Sequence, residues 1–142
     1  MDAATKAKIR SAILIALFGL GSYSRMAAAA DINVKLEGSQ EVPAVSTTAS
    51  GSGKITVADD GTVSGSIDTT GIEGTMAHIH SGAKGMNGPP VITLTKSGNK
   101  FTVPANSKLN DAQRASLGKG ELYVNVHSAA HPNGEIRAQL QP

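Results

Sequence analysis

The chain has 142 residues, with 13 Lys and Arg against 11 Asp and Glu, and it contains no cysteine. The absence of cysteine excludes disulfides, thiolate metal ligands and iron–sulfur clusters. Because aromatic residues make up only 3% of the chain and hydrophobic residues 39%, any core must be built mostly from Val, Ile, Leu and Ala.

The first thirty residues have the three parts of a secretory signal peptide. A segment with three basic residues, 1–10, precedes an uncharged apolar run at 12–21, and four consecutive alanines close the segment. A membrane-spanning helix would need about 20 apolar residues, and serines and an arginine at 22–25 interrupt the run too early. These features predict cleavage after Ala28 or Ala30.

The predicted mature chain, 31–142, is large enough for one domain and has a balanced charge. Loss of the leader removes four basic residues and one acidic residue, which leaves nine basic and ten acidic residues. No basic cluster with interleaved aromatic residues follows, so the sequence gives no indication of nucleic-acid binding. We therefore expect a periplasmic or secreted domain with no membrane span after cleavage.

Short alternating segments separated by turns run through the mature chain. The first, 31–37, places three aliphatic residues on one face, which is the pattern of a half-buried strand. Segments 52–58 and 62–68 flank an Asp-Gly turn, a strong signal for a β-hairpin. Further strands are predicted at 75–80, 91–95, 101–103, 121–127 and 134–140. The pattern predicts an all-β fold, an antiparallel sandwich or barrel.

One long connection and one helix complete the predicted elements. Segment 38–48 contains Pro43, which cannot donate to a central ladder, so we expect this segment to lie along a sheet edge. The only helical segment, 107–117, has Ser107 or Asn110 as alternative N-caps. The helix is short, and we expect it to cover an edge of the sandwich.

Alternation in the last strand, 134–140, directs its aliphatic residues inward and its polar residues outward. The outward residues are Glu135, Arg137 and Gln139. We expect Arg137 on a solvated face, paired with Glu135 or Glu121.

The four histidines of the chain fall in two short stretches. His78 and His80 alternate along one predicted strand and project from the same face, whereas His127 ends another strand and His131 follows shortly after it. If the two strands are neighbours, three or four imidazoles converge. Neutral imidazole binds copper, zinc, iron and nickel. A set without thiolate or carboxylate favours copper, with zinc as the second choice.

Two interpretations of these histidines remain open. The imidazoles could hydrogen-bond to neighbours or water, which is the ordinary role of a histidine on a strand face. The alternative is a mononuclear metal site with four ligands, His78, His80, His127 and His131. Because the alternate positions on both strands are aliphatic, the imidazoles should lie outside the main core and under the loops 81–90 and 128–133.

Four stretches of the mature chain resemble the CHRD domain, a module named after chordin and common in exported bacterial proteins. They are LEGSQEVP at 36–43, AHIHSG at 77–82, GELYVNVHS at 120–128 and PNGEIRAQL at 132–140. The resemblance implies a Greek-key β-sandwich of the immunoglobulin-like or superoxide-dismutase-like kind. It also implies export, and it leaves the biochemical activity open.

A fainter likeness connects the chain to copper/zinc superoxide dismutases. In those enzymes an H-x-H strand and a later V-x-H segment supply copper ligands, and a G-x-R segment supplies an arginine that guides the anion. The matching positions in this chain are His78, His80, His127 and Arg137. The zinc-binding loop and the disulfide of the dismutases have no counterpart, so the resemblance implies at most one metal ion.

The sequence thus supports three hypotheses. The first is an exported metal-binding protein with a mononuclear, all-histidine copper site; catalysis is not favoured, because four imidazoles would leave no open coordination position. The second is a copper-dependent, dismutase-like enzyme with Arg137 as anion guide. The third is a metal-free extracellular interaction or matrix module. A homodimer could form through an exposed strand edge or through the histidine face.

Overall fold

The computed structural model describes residues 29–142. The predicted signal peptide, 1–30, therefore lies outside the described residues except for Ala29 and Ala30, and it stays a prediction. Ala30 is already the first residue of the first strand.

Alternation of aliphatic and polar residues produces nine strands, and all but the sixth lie within two residues of their predicted bounds. The strands are β1 (Ala30–Glu37), β2 (Ser50–Val57), β3 (Val63–Thr70), β4 (Gly74–Ser81), β5 (Pro90–Thr93), β6 (Thr95–Ser97), β7 (Lys100–Thr102), β8 (Leu122–Ser128) and β9 (Ile136–Leu140). One helix, α1 (Asp111–Gly118), and a single 3-10 turn at Gly38–Gln40 accompany them. The predicted all-β antiparallel fold with one short helix is confirmed.

The strands form one antiparallel sheet in the order β5-β4-β8-β9-β1-β2-β3-β7-β6. The chain passes from β4 through β5, β6 and β7 and then returns to place β8 beside β4, which is a Greek-key arrangement. β1 and β9 meet through one register pair, Glu37 with Arg137. The sheet therefore divides at this seam into two halves, and both contribute to a shared aliphatic core.

One extended segment, 90–97, closes the sheet. Its first part, β5, pairs with β4, and its last part, β6, pairs with β7 at the opposite end of the sheet. Between them the amide of Leu94 donates to the carbonyl of Ala77 over 2.9 Å. The sequence predicts one strand at 91–95. The structure instead divides this segment into two strands, because the pairing partner changes at Leu94, whose side chain is buried. A strand that switches partners in this way makes the sheet nearly closed and barrel-like.

The core is aliphatic, as the composition predicts. Alternate residues of β1, namely Ile32, Val34 and Leu36, are buried together with the alternate residues of the other strands. Strand β8 differs from the rest because all seven of its residues are buried. Val124 and Val126 belong to the aliphatic core, so the opposite face of β8 must be covered by another part of the chain.

The connection between β1 and β2 helps to cover that opposite face instead of running along an edge. The carbonyl of Val42 accepts a hydrogen bond from Asn87 Nδ2 over 2.7 Å, which joins this connection to the loop after β4. Arg137 beneath them is only 1% exposed. The prediction of a solvated Arg137 paired with Glu135 or Glu121 is therefore wrong. Strand alternation identifies the face opposite the core, but it does not indicate whether loops cover that face.

Helix α1 begins at Asp111, directly after the second of the two alternative caps. Asn110 Oδ1 accepts from the amide of Gln113 over 2.8 Å, and Gln113 Oε1 accepts from the amide of Asn110 over 2.9 Å. This reciprocal pair is a capping box. Ser107 instead donates its hydroxyl to the carbonyl of Pro104, so Asn110 is the N-cap. Leu117 anchors the helix in the core.

Replacing Asn110 by alanine should lower the free energy of unfolding by about 1 kcal/mol, because the amide of Gln113 loses its side-chain acceptor. Asn110→Asp keeps a side-chain acceptor at the cap and serves as the control, with an expected change within about 0.5 kcal/mol. Urea unfolding followed by circular dichroism measures both. Equal stability of Asn110→Ala and the wild type would contradict the role of the capping box.

Candidate metal centre

The two predicted histidine strands are neighbours. β4 and β8 pair antiparallel, with His78 opposite Asn125 and His80 opposite Tyr123. His127 lies two residues beyond Asn125 on β8, so it is diagonal to His78 on the same face. The pairing brings three imidazoles together above Asn125.

The three imidazoles are close enough to share one ion. Each of His78, His80 and His127 offers a ring nitrogen, and these nitrogens lie within 4.8 Å of one another. The nearest pair, His78 Nδ1 and His127 Nε2, is hydrogen-bonded over 3.0 Å, so a bound ion would replace this hydrogen bond. His80 and His127 are buried, while His78 is half-buried. We refer to these three residues as the three-histidine cluster.

Backbone carbonyls fix the orientation of two of the rings. His80 Nδ1 lies 2.9 Å from the carbonyl oxygen of Gly88, and His127 Nδ1 lies 2.8 Å from that of Pro132. Because a carbonyl only accepts, each Nδ1 must carry the hydrogen, which leaves Nε2 with its lone pair. His80 Nε2 is buried without a hydrogen-bond partner. Both carbonyls belong to the loops that the sequence predicts above the site.

The environment of His78 and His80 favours the neutral form of both rings. Burial lowers the pKa of His78, and repulsion from His127 and His80 acts in the same direction. Burial also lowers the pKa of His80, an effect that the hydrogen bond to Gly88 opposes. Since a metal binds the unprotonated nitrogen, a lowered pKa keeps these rings available as ligands at neutral pH.

Tyr123 holds His80 from the side of β8. The rings of His80 and Tyr123 are stacked, with centroids 4.8 Å apart and an angle of 1° between their planes. The guanidinium carbon of Arg137 lies 3.5 Å from the centroid of the Tyr123 ring. Because β8 lies between the strands that carry His80 and Arg137, the two groups contact opposite faces of Tyr123. A displacement of the Arg137 guanidinium would therefore shift the Tyr123 ring and, with it, the stacked ring of His80.

Arg137 in turn fixes the loop after β4. Its guanidinium donates to Asn87 Oδ1 and to the carbonyls of Ala83 and Met86, and also to Gln139 Oε1, over 3.0 to 3.3 Å. Burial lowers the pKa of Arg137. No ion pair of Arg137 occurs among residues 29–142, so its charge is balanced mainly by dipoles and the phenol ring. The loop that supplies the Gly88 carbonyl is thereby held against the sheet.

Asn125 and Glu41 complete the polar layer beneath the cluster. Asn125 is 2% exposed and lies between His80 on one side and Glu41 on the other. Gly134 makes room for this contact, because a Cβ there would meet Asn125 Nδ2 and Glu41 Oε1 at 2.5 Å each. Sequence reasoning missed Glu41. Its position inside the stretch LEGSQEVP, which carries the CHRD resemblance, was the available signal.

His131 is placed apart from the three-histidine cluster. Its backbone shapes the turn after β8: its carbonyl accepts from the amides of Ser128 and Gly134, over 3.2 and 3.0 Å. Its side chain interacts with the carboxylate of Glu135. The turn that carries His131 thus orients His127 through Pro132, and a ligand role for His131 itself stays a prediction.

The model of one protein family, the CHRD domain, matches residues 32–140. The chain belongs to the CHRD domain family. No curated protein and no solved structure matches the chain, so the likeness to the dismutases rests on the pattern of residues alone. The match covers the strands from the third residue of β1 to the end of β9, and it includes the whole three-histidine cluster.

Membership in this family bears on where the protein acts. CHRD domains occur in secreted or extracellular proteins, which is consistent with the predicted export. Within residues 29–142, the structure contains no helix of the length and apolar character needed to cross a membrane.

Proposed function

We propose that this CHRD domain is an exported protein that binds one copper ion through His78, His80 and His127. The observation that carries the proposal is the convergence of three ring nitrogens within 4.8 Å of one another. An ordinary surface histidine does not need a backbone carbonyl and a stacked phenol to hold it in place. The two fixed rings are oriented in advance, which reduces the conformational entropy that metal binding must overcome.

The distances fit a single ion. Two nitrogens bound to one ion at about 2.1 Å each lie no more than about 4.2 Å apart. The separation of 3.0 Å between His78 Nδ1 and His127 Nε2 satisfies this limit. The widest separation in the cluster, at most 4.8 Å, needs to shrink by no more than about 0.6 Å. Small rotations of the imidazole side chains are enough for that.

The chemistry of the ligand set favours copper. Three neutral imidazoles, without a carboxylate or thiolate among them, suit Cu(II), which also binds most tightly in the divalent series. Zinc is the second choice, since it accepts the same ligands. When bound, the ion would be held as cargo, and we propose storage or buffering of copper outside the cytoplasm as the role.

The residues around the cluster serve binding better than catalysis. The dismutase alternative needs Arg137 to receive an anion near the metal. The guanidinium of Arg137 is 1% exposed, and it already donates to the loop after β4 and to Gln139. We therefore keep metal binding as the proposed function and treat Arg137 as a residue that positions His80 through Tyr123.

The proposal predicts that the double substitution His78→Ala/His127→Ala abolishes copper binding. The untagged full chain, loaded with copper and dialysed, should retain about one equivalent and show a Cu(II) EPR spectrum with nitrogen coupling, whereas the double variant should retain less than about 0.1 equivalent. Elemental analysis and EPR measure both. His131→Ala is the matched control, and it should bind like the wild type.

Two outcomes would change this proposal. Equal, substoichiometric copper in the wild type and the double variant would remove it and leave a metal-free interaction module. Loss of one equivalent in His131→Ala as well would add His131 to the ligands.

A further inference from the structure

Met76 is an exposed methionine on the strand face that carries the three-histidine cluster. We propose that its thioether is a further ligand of the bound ion and that it makes the site bind Cu(I) more tightly than three imidazoles alone would. This inference rests on the proposed copper site, and it adds a preference between the two oxidation states of copper.

The register of the sheet places Met76 beside two of the histidines. Met76 is the cross-strand partner of His127, and residues directly opposite in an antiparallel pair have Cβ atoms about 5 Å apart. Met76 is also two residues before His78 on β4, so both side chains project from one face. A methionine side chain has three rotatable bonds beyond Cα and can direct its sulfur toward either neighbour.

An irregularity in β4 sets this arrangement. The register of β4 against β8 shifts between Gly74 and Met76, which is the mark of a β-bulge. Gly74 faces the core, where a Cβ would meet the ring of Phe101 at 2.8 Å, while Thr75 and Met76 are both exposed. Bulges commonly redirect a side chain next to a functional site. Here the bulge lets Gly74 pack inward and keeps Met76 on the histidine face.

Packing in the core does not account for Met76. Its side chain is 50% exposed, and among residues 29–142 the only other exposed large hydrophobic residue is Met86, at 61%. The outward face of an antiparallel strand normally carries polar residues, and Met76 is excluded from the core on the opposite face. An apolar side chain that is kept in solvent beside two of the imidazoles is explained by its sulfur.

The chemistry of the thioether determines which ion benefits. Thioether sulfur is a soft, neutral ligand that selects Cu(I), whereas imidazole accepts both Cu(I) and Cu(II). Adding one thioether to three imidazoles should therefore strengthen Cu(I) binding and leave Cu(II) binding nearly unchanged. A site with this ligand set holds copper in both oxidation states and favours the reduced one.

The test compares Met76→Leu with Met86→Leu in the untagged full chain. Leucine matches methionine in size and lacks the sulfur, and both positions are exposed, so folding should be preserved. Competition with bicinchoninate under anaerobic, reducing conditions measures Cu(I) affinity, and competition with nitrilotriacetate measures Cu(II) affinity. Met76→Leu should weaken Cu(I) binding about tenfold or more and change Cu(II) binding less than about twofold. Met86→Leu should change neither.

X-ray absorption of the Cu(I) form provides a second measurement, in which a sulfur scatterer should be present in the wild type and Met86→Leu and absent in Met76→Leu. A wild type that binds copper but shows no sulfur scatterer, or a Met76→Leu variant with unchanged Cu(I) affinity, would overturn the role of Met76 and leave the copper site standing. A wild type that binds no Cu(I) or Cu(II) would overturn both.

Discussion

Replacing Arg137 by alanine should lower the free energy of unfolding by about 3 to 4 kcal/mol, the largest loss expected from one polar substitution in this domain. The guanidinium is 1% exposed, and its hydrogen bonds extend to Asn87, Gln139 and two backbone carbonyls. Truncation leaves these acceptors unpaired under a covering loop, and each unpaired buried group costs about 1 kcal/mol or more. Urea unfolding at pH 7 measures the loss.

Arg137→Lys separates the shape of the side chain from its charge. Lysine keeps the positive charge but lacks the planar fork that donates in several directions and stacks on Tyr123. We expect Arg137→Lys to lose at least half of what Arg137→Ala loses. A loss below about 1 kcal/mol in Arg137→Ala would show that the covering loops reach solvent or other partners without it.

Arg137→Ala should also weaken copper binding, although Arg137 does not contact the proposed ion. Its guanidinium supports one face of Tyr123, and His80 is stacked on the other. The loop that Arg137 fixes also carries the Gly88 carbonyl that orients His80. Residues that orient metal ligands in this way typically contribute about 10- to 100-fold in affinity. The copper competition assay applied to Arg137→Ala measures this coupling.

Glu41→Gln should remove the contribution of Glu41 to the pH dependence of stability between pH 4.5 and about 7. Burial raises the pKa of Glu41 from 4.5 to about 7, and the hydrogen bond from Asn125 and the attraction of Arg137 only partly oppose this effect. The folded protein therefore holds a proton that the unfolded chain releases. At about 1.4 kcal/mol per pH unit, the interval between the two pKa values corresponds to about 3 kcal/mol of folding stability.

The sign follows from which state binds the proton. The stabilisation from protonated Glu41 is fully present below pH 4.5, declines as the pH rises, and is lost above about pH 7. His78 and His80 act in the opposite direction. Burial lowers their pKa below the ordinary value of 6.5, so their contribution is present above pH 6.5 and is lost as the pH falls. These histidines are unchanged in Glu41→Gln, so a comparison of the two proteins isolates Glu41.

Unfolding free energies of the metal-free wild type and Glu41→Gln, measured in urea with a chelator at pH 5 and pH 8, test this prediction. The quantity to compare is the unfolding free energy of Glu41→Gln minus that of the wild type. This difference should be about 2 to 3 kcal/mol larger at pH 8 than at pH 5. An equal difference between the two proteins at both pH values would mean that Glu41 is ionised in the folded state and solvated.

The elements whose pattern depends on local alternation were predictable from the sequence. The bounds of β1 and of the β2–β3 hairpin follow from period-two alternation and an Asp-Gly turn. The convergence of His78, His80 and His127 was predictable for the same reason, since equal parity on two neighbouring strands places side chains on one face. The one condition that sequence could not supply was the pairing of β4 with β8, which is a contact between distant segments.

Features that depend on long-range contacts were not predictable. The change of partner at Leu94 requires β4 and β7 to approach the same segment from both ends of the sheet. The burial of Arg137 and Glu41 requires two loops to close over a face that alternation alone marks as outward. Gly and Pro punctuation identified these loops as loops, but it gave no information about the surface on which they lie.

The closure of the sheet by 90–97 has a consequence for the behaviour of the protein at high concentration. Free backbone amides along a sheet edge are a template for pairing with another chain, and long flat edges promote aggregation. Here the two terminal strands are four and three residues long, and they are consecutive parts of one segment that diverges at Leu94. Neither offers a long ladder to a second molecule. The fold thus limits strand-to-strand assembly in a domain that has no disulfide to restrain it.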